Sequence, residues 1–423
     1  MTGAITRAVR SYLTGIDSAY RLTATRLPVI DNIQQTNLYL HIPFCKSLCP
    51  YCPYNKITYD RKYIAPYLKA VLNEIEMYYN LLGSVKITSI YIGGGTPTLL
   101  TDELGIILER IRNRFDVTGD IGVETSPAEI DDDTITKLKH FNVSLISLGV
   151  ESFNDKYLEF IGRKYSSDIL KPVIKKLLCS DFKSVNADML FAIPGQSCGE
   201  LLGDLQRAVD SGLEQITIYP LFTFPYSTIG EYKKLKRVKT PNLIQRHRQY
   251  GLITRFFGEH GFDRASVWSY KKGDMPRYSS ATRDRYIGLG AGAGSHTSKG
   301  FYANTFSVDE YIKSCLEDRF PVALHMSFTD AMQKYFWLYW RLYDTRVDKT
   351  ALHHRFNGDK KFDRLLKTLK LLGLIYQNNG SIELTDRGAF WVHLMQNHFI
   401  LSYINKVWSV ARRQSWPMEI VLG

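Results

Sequence analysis

From about Thr36 to Gly300, short apolar runs alternate with longer stretches in which apolar residues recur every three or four positions. "NLYLHI" and "KITSIYIGGG" have the composition of buried strands, whereas "KYIAPYLKAVLNEIEMYYN" has helical spacing. "TDELGIILERIRNRF" reads as a helix with Thr101 as its N-cap and Glu103 in the first turn, where a carboxylate favours the helix dipole. Further strands are predicted in "GDIGVET", "VSLISLGVES", "SVNADMLFAIPG" and "QITIYPL", separated by helices in "DTITKLKHF", "DILKPVIKKLLC" and "ELLGDLQRAVDSGL". Such alternation predicts an α/β fold, a parallel sheet with crossover helices that is doubly wound or closed toward a barrel. In either form, chemically active residues gather at the C-terminal strand ends.

After about Gly300 the pattern changes. "TDAMQKYFWLYWRLYD", "KTALHHRF" and "KKFDRLLKTLKLLGL" look helical, and "LIYQNNGSIELT" predicts a hairpin turning at Asn379-Gly380. The expected division is an N-terminal extension over 1–35, the α/β domain over 36–300, and a smaller helical, winged-helix-like domain over 301–423. The aromatic-rich "AFWVHLMQNHFILSYINKVW" is expected to pack against the main domain or to act as a lid over an apolar substrate. Hydrophobic content of 44% and charged content of 23% are globular values. No stretch approaches the ~20 apolar residues of a membrane span, and "MTGAITRAVRSYLTGID" lacks a signal-peptide core, so a cytoplasmic protein is expected. The net charge of +12 is dispersed among acidic residues, which points to a solvated surface rather than a nucleic-acid site. A basic face toward anionic lipid or an anionic substrate is compatible with it.

Composition alone names no chemistry; the cysteines do. Of six, three crowd into "HIPFCKSLCPYCPYNK" as Cys45, Cys49 and Cys52, and the other three are scattered, which is no disulfide framework. Three soft thiolates in one loop select zinc or an iron–sulfur cluster. Zinc would take His41 as fourth ligand, but structural zinc sites use two separated pairs and no second pair follows here. A four-iron cubane on three cysteines keeps one iron open to chelate an amine and a carboxylate, such as the methionine part of S-adenosylmethionine (SAM).

The Cys-x3-Cys-x2-Cys spacing inside "YLHIPFCKSLCPYC" resembles the radical SAM superfamily, and more narrowly the oxygen-independent coproporphyrinogen III oxidase family. The likeness continues in order through "YIGGGTPTLL", "GVETSP", "SLISLGVESF", "IGRKY", "NADMLFAIPGQ" and "YIGLGAGAGS", from about Leu38 to Ser295. It implies an incomplete (β/α)6 barrel, a [4Fe–4S] cluster on Cys45, Cys49 and Cys52, and two SAM molecules side by side. Reductive cleavage of SAM to a deoxyadenosyl radical, with electrons from a donor such as flavodoxin or ferredoxin, is the implied activity. Several positions match SAM contacts of that family: Tyr39, the Gly94-Gly95-Thr96 turn, Glu124 on a ribose, Arg163 on a carboxylate, and Asp188 on a ribose or amine. Glycine in that turn permits close backbone approach, so its amides are expected to face a polar ligand. Glu151 stands where relatives carry a glutamine that touches the second SAM, which adds charge and removes a donor. "GLGAGAGS" is read as close backbone packing rather than a dinucleotide loop.

Two departures narrow the expected substrate. Coproporphyrinogen oxidases proper carry another cysteine where this chain has Tyr54, and haem chaperones of the family carry an HNxxYW-like segment where it has "ASVWSYKKGDMPRYSS". Those absences point toward relatives that use the second SAM as a one-carbon donor, with a lipid quinone, menaquinone at C8, as the sharpest expectation and the membrane surface as a site of contact. The alternative is a tetrapyrrole-directed enzyme or a haem carrier.

Overall fold

The computed structural model describes residues 2–15, 19–234, 238–277 and 284–422, without the side chains of residues 2–7. Seven parallel strands form its centre: β1 (Gln35–Ile42), β2 (Lys86–Gly94), β3 (Ile121–Thr125), β4 (Leu145–Glu151), β5 (Ser184–Phe191), β6 (Gln215–Pro220) and β7 (Tyr286–Leu289). Their spatial order is β6-β5-β4-β3-β2-β1-β7. β6 and β7 lie at opposite ends without pairing, so the array is open. Six strands were expected; β7 is the seventh, because Tyr286–Leu289 of the late glycine run pairs in register with Asn37–Leu40 of β1. Strands covered on both faces must be apolar nearly throughout, and Leu38, Leu40 and Ile42 of β1, with Ile87, Ile90 and Ile92 of β2, are all buried.

Crossover helices cover the sheet. Arg61–Leu82 starts at Asp60, whose carboxylate accepts from the Lys62 amide, and it buries Ile64, Tyr67, Val71, Ile75 and Tyr78. Helix Thr101–Arg114 departs from expectation at its start. Thr101 is not the N-cap: Pro97 opens a 3-10 turn, Pro97–Leu100, that leads straight into the helix, and the Thr101 hydroxyl donates backwards to the Thr98 carbonyl at 2.8 Å. Glu103 does lie in the first turn.

Beyond β7 the sheet continues antiparallel through Gly294–His296, Gly300–Asn304 and Val322–Ser327 to Tyr20–Ala24 and Glu419–Leu422. The chain's first described strand and its last are therefore paired neighbours, and position 300, where a boundary was expected, begins a strand of the same sheet. Residues 330–384 contain three helices and a three-stranded antiparallel sheet in which Ile375–Gln377 and Ser381–Leu384 make the expected hairpin, joined by Arg346–Asp348. Helix Asp386–Phe399 passes through a π-helical turn, Ile400–Ile404, into Asn405–Ala411. No helix among the described residues is long and apolar enough to cross a membrane.

Candidate functional site

The cysteine loop follows the C-terminal end of β1, and its shape is set by buried polar groups. The Lys56 ammonium donates to the carbonyls of Cys49 (3.0 Å) and Cys52 (3.3 Å), so the loop winds around a buried cation. Asn55 ties it to the late glycine run, donating through Nδ2 to the carbonyls of Ala291 (3.0 Å) and Phe306 (2.9 Å). The three thiols form no disulfide; Cys45 is buried, and Cys49 and Cys52 are half-buried. The Thr96 hydroxyl points at Cys45 Sγ from 3.8 Å. Burial, then the neighbouring Cys52, pushes the Cys45 thiol up to about 11, and burial raises Cys49 as well. Left to themselves the Cys45 and Cys49 sulfurs stay protonated; a cationic metal centre reverses that preference, since a coordinating thiol is deprotonated outright.

His41 decides between the two metal readings. Its Nε2 lies 2.8 Å from the Asn55 carbonyl, which can only accept, so Nε2 carries the hydrogen. Nδ1 must then accept from the Tyr39 hydroxyl, also 2.8 Å away. Burial lowers the His41 pKa to about 4, so the ring is neutral with both nitrogens engaged. It has no nitrogen left for zinc. The donor set is three thiols, which suits an iron–sulfur cluster with one iron lacking a protein ligand.

The other expected residues lie on adjacent strand ends. Tyr39 on β1 stacks on Tyr91 of β2 with ring centroids 5.9 Å apart. Tyr91 donates its hydroxyl to Glu124 Oε1, and the Gly94 amide donates to Glu124 Oε2 at 3.1 Å. Glu151 ends β4 with φ +66°, a strained value for a side-chain-bearing residue, and accepts from Arg163 Nη2. The same nitrogen lies 3.2 Å from the Tyr51 hydroxyl in the cysteine loop. Asp188 on β5 accepts from Ser147 (2.7 Å) and Asn186 (3.0 Å). Burial, and then the charges of Glu124 and Glu151, raise its pKa to about 8. Burial also raises Glu124, with a further push from Glu151. The site thus gathers three mutually repelling carboxyl groups beside a loop of thiols.

One expectation fails. The amides of the glycine turn do not face a ligand: Gly94 donates to Glu124, Gly95 to the Ile42 carbonyl (2.7 Å) and Thr96 to the Phe44 carbonyl (2.8 Å). The glycines serve close packing instead, since a Cβ on Gly94 would meet the His41 ring at 2.6 Å and one on Gly95 the Phe44 carbonyl at 2.5 Å. The late glycine run behaves as expected of packing. A Cβ on Gly290 would sit 2.4 Å from the His41 carbonyl, and the amides of Gly288, Gly290, Ala291 and Gly292 all have partners within the protein. Sequence reasoning missed Lys56, Asn55 and Tyr91. Asn55 and Lys56 stand three and four residues after the third cysteine, where polar residues closing a ligand loop are the available signal.

The C-terminal helix reaches this site. Trp408 packs on Tyr54 (5.6 Å between centroids) and stacks on Phe224 (6.0 Å), and Arg412 Nη1 lies 3.4 and 3.3 Å from the carbonyls of Pro53 and Tyr54. The aromatic segment therefore packs against the main domain directly beside the third cysteine.

Residues 39–208 match the family model described as the radical SAM superfamily. They form a radical SAM domain. The radical SAM domain implies a [4Fe–4S] cluster and SAM as cofactors, which the three-thiol donor set fits. Among curated relatives, the chain is 26% identical over 360 residues to a protein named heme chaperone HemW from Bacillus subtilis, covering 83% of this chain and 95% of that one. It is 25% identical over 320 residues to an oxygen-independent coproporphyrinogen III oxidase from Cereibacter sphaeroides, covering 70% of each. The solved structure of coproporphyrinogen III oxidase (HemN) from Escherichia coli shares the fold with a TM-score of 0.73 at 20% identity, over 87% of this chain and 91% of that one. The radical SAM domain and the family resemblance read from the motifs agree with these relatives. Methyl transfer to menaquinone gains no support from them, and the tetrapyrrole alternative fits them better.

Proposed function

We propose that this chain is a radical SAM enzyme whose substrate is a tetrapyrrole, a porphyrinogen or a haem, rather than a quinone. The observation that carries the reading is the extent of its likeness: the relatives named for haem and coproporphyrinogen align along most of the chain, including the region beyond the radical SAM domain. In this reading Cys45, Cys49 and Cys52 hold the cluster, Tyr39, Glu124, Glu151, Arg163 and Asp188 line the SAM site, and the Gly94-Gly95-Thr96 turn borders it without giving its amides to the ligand. When bound, the cluster and SAM supply one-electron chemistry that ends in a carbon-centred radical.

The chain's own work is holding and positioning. Lys56 and Asn55 hold the cysteine loop in one shape. Tyr91 and the Gly94 amide fix Glu124 so that its carboxylate faces the site without a rotamer search. Asp188, protonated near neutrality by burial and by its acidic neighbours, donates as well as accepts. Trp408, Phe224 and Tyr54 form an aromatic contact that braces the loop beside Cys52. A reduced electron-transfer protein such as flavodoxin or ferredoxin fits as the electron source.

The test is an anaerobic incubation of the reconstituted protein with SAM, a strong reductant and, in separate tubes, coproporphyrinogen III, haem or menaquinone. Deoxyadenosine formation stimulated by a tetrapyrrole is the expected result. Stoichiometric haem uptake without deoxyadenosine would make the chain a carrier, and label passing from methyl-labelled SAM into menaquinone would restore the quinone reading.

A further inference from the structure

A second polar cluster lies apart from the cysteine loop, where helix Leu243–Glu259, helix Asp386–Phe399 and the turn after β5 meet. Gln196, Gln249, His393 and Gln396 are 7%, 3%, 0% and 6% exposed, yet each holds a buried polar atom with no partner. Native interiors contain few such atoms, and burying one without a partner costs about 1–3 kcal/mol. Here five gather in one seam: both amide atoms of Gln196, Oε1 of Gln249, Oε1 of Gln396 and Nε2 of His393.

The residues are neighbours by several routes. Gln249 Nε2 donates to the Gln196 carbonyl at 3.3 Å. The Tyr250 and Phe191 rings lie 5.1 and 5.9 Å from His393. His393 and Gln396 are three apart on one helix, as are Arg246 and Gln249 on the other, so each pair shares a face. The protonation of His393 follows from its partner. Trp268 Nε1 can only donate, and it lies 2.8 Å from His393 Nδ1, so Nδ1 accepts and Nε2 carries an N–H with nothing to give it to.

Positive charge stands at the same seam. Arg246 is half-buried and, among the described residues, its guanidinium meets no hydrogen-bond or ion-pair partner. Lys233, close enough to repel it, donates to the Thr223 hydroxyl at 3.2 Å in the segment that follows β6. An unpaired arginine, a second cation, a buried imidazole N–H and a free amide N–H₂ form a cluster of donors, beside three amide oxygens that also lack partners. None of these residues belongs to the cluster or SAM machinery described above.

We propose that this seam is a carboxylate-binding site, Arg246 supplying the charge and His393 Nε2 and Gln196 Nε2 the neutral donors, with water serving the leftover acceptors. On the tetrapyrrole reading, on which only the ligand's identity rests, its occupant is a propionate-type side chain of the macrocycle.

Two measurements on the reconstituted full-length protein separate the site from the reading. In the first, thermal unfolding is followed with sodium propionate or, at matched ionic strength, propionamide. Propionate is expected to raise the melting temperature of the wild type and to leave Arg246→Gln unmoved, with propionamide inert on both. In the second, fluorescence titrations compare coproporphyrin with its tetramethyl ester. The free acid is expected to bind the wild type roughly tenfold more tightly than the ester, and Arg246→Gln to erase the difference. Arg246→Lys, which keeps the charge, should recover part of it. Propionate protection with no tetrapyrrole binding would keep the site and discard the tetrapyrrole reading. No propionate effect and no preference for the acid would leave a seam of buried water and overturn the site.

Discussion

Two groups of buried acids in this protein do opposite things. Glu74, on helix Arg61–Leu82, is fully buried and fully served: Oε2 accepts from the Gly290 amide (2.8 Å) and the Tyr311 hydroxyl (2.6 Å), and Oε1 from Asn304 (2.7 Å). It joins the first crossover helix to the late glycine run, and its lone pairs are spent on the protein. Glu124, Glu151 and Asp188 sit at strand ends where each raises another's pKa or adds to the local negative potential. Burial lifts Glu74 to about 7 and raises Glu124 and Asp188 as well, but only at the strand ends does carboxylate repulsion add to it. The structural acid meets donors and no other carboxylate; the site acids meet donors too but crowd one another, and that repulsion is what a cationic or hydroxyl-bearing ligand relieves.

The comparison breaks first at the cysteine loop, where the largest effect is expected. Cys45→Ala should remove the iron–sulfur absorbance of the anaerobically reconstituted protein and abolish deoxyadenosine formation; retained turnover would discard the thiol assignment. Next comes the structural acid. Glu74→Ala leaves the Gly290 N–H, Asn304 and Tyr311 donors buried without an acceptor, and a loss of about 3 kcal/mol or more is expected in urea unfolding. A change below ~1 kcal/mol would mean water enters the seam and the acid is not structural.

Glu74 also predicts a pH dependence. Its pKa is raised on folding, so the folded chain binds the proton more tightly than the unfolded one. The stability this gives is present below the ordinary glutamate value of 4.5 and is lost as pH climbs through about 7. Up to about 3 kcal/mol would disappear across that window by linkage. Glu74→Gln should flatten this part of the profile while keeping most of the stability at pH 7. An unchanged slope in the glutamine variant would assign the proton elsewhere. Asp188→Asn comes next. It preserves shape and one acceptor, so folding should be little altered, but SAM affinity should fall roughly fivefold, the worth of about 1 kcal/mol for one hydrogen bond made by a neutral carboxyl. Equal losses of stability and affinity would move Asp188 into the structural class.

The same contrast explains what could be read from the chain. The parallel strands were legible because β1 and β2 bury Leu38, Leu40, Ile90 and Ile92 on a doubly covered sheet, which leaves an uninterrupted apolar run in the sequence. The cysteine loop was legible because three soft ligands in eight residues suit few chemistries. The pairing of Tyr20–Ala24 with Glu419–Leu422 was not, since a contact across nearly the whole chain leaves no local periodicity. Thr101 looked like a cap because its residue type is right, but the 3-10 turn begun by Pro97 had already started the helical path. The glycine turn misled for a related reason: glycine signals close approach without saying to what, and here it is to His41 and Phe44 rather than to a ligand. The orphaned atoms of the Gln196–His393 seam are a property of three-dimensional packing alone.

The smallest expected effect tests whether Glu151 belongs with the site acids at all. Its side chain accepts from Arg163, which also touches Tyr51 of the cysteine loop, so an ion pair lies between the strand end and the thiols. Glu151→Gln keeps the carbonyl that Arg163 needs and removes one negative charge. The left-handed backbone at φ +66° is no more strained for glutamine than for glutamate. Stability should therefore change by less than about 1 kcal/mol, because the hydrogen bond survives where truncation to alanine would strand the guanidinium. The charge removed is one that raises Glu124 and Asp188, so both should titrate at lower pH in the variant. A SAM-binding profile displaced by a fraction of a pH unit toward acid, with at most a few-fold change in affinity at its optimum, is the expected outcome. A profile that does not move would separate Glu151 from Glu124 and Asp188, making its pairing with Arg163 a brace for the cysteine loop rather than part of the acidic cluster.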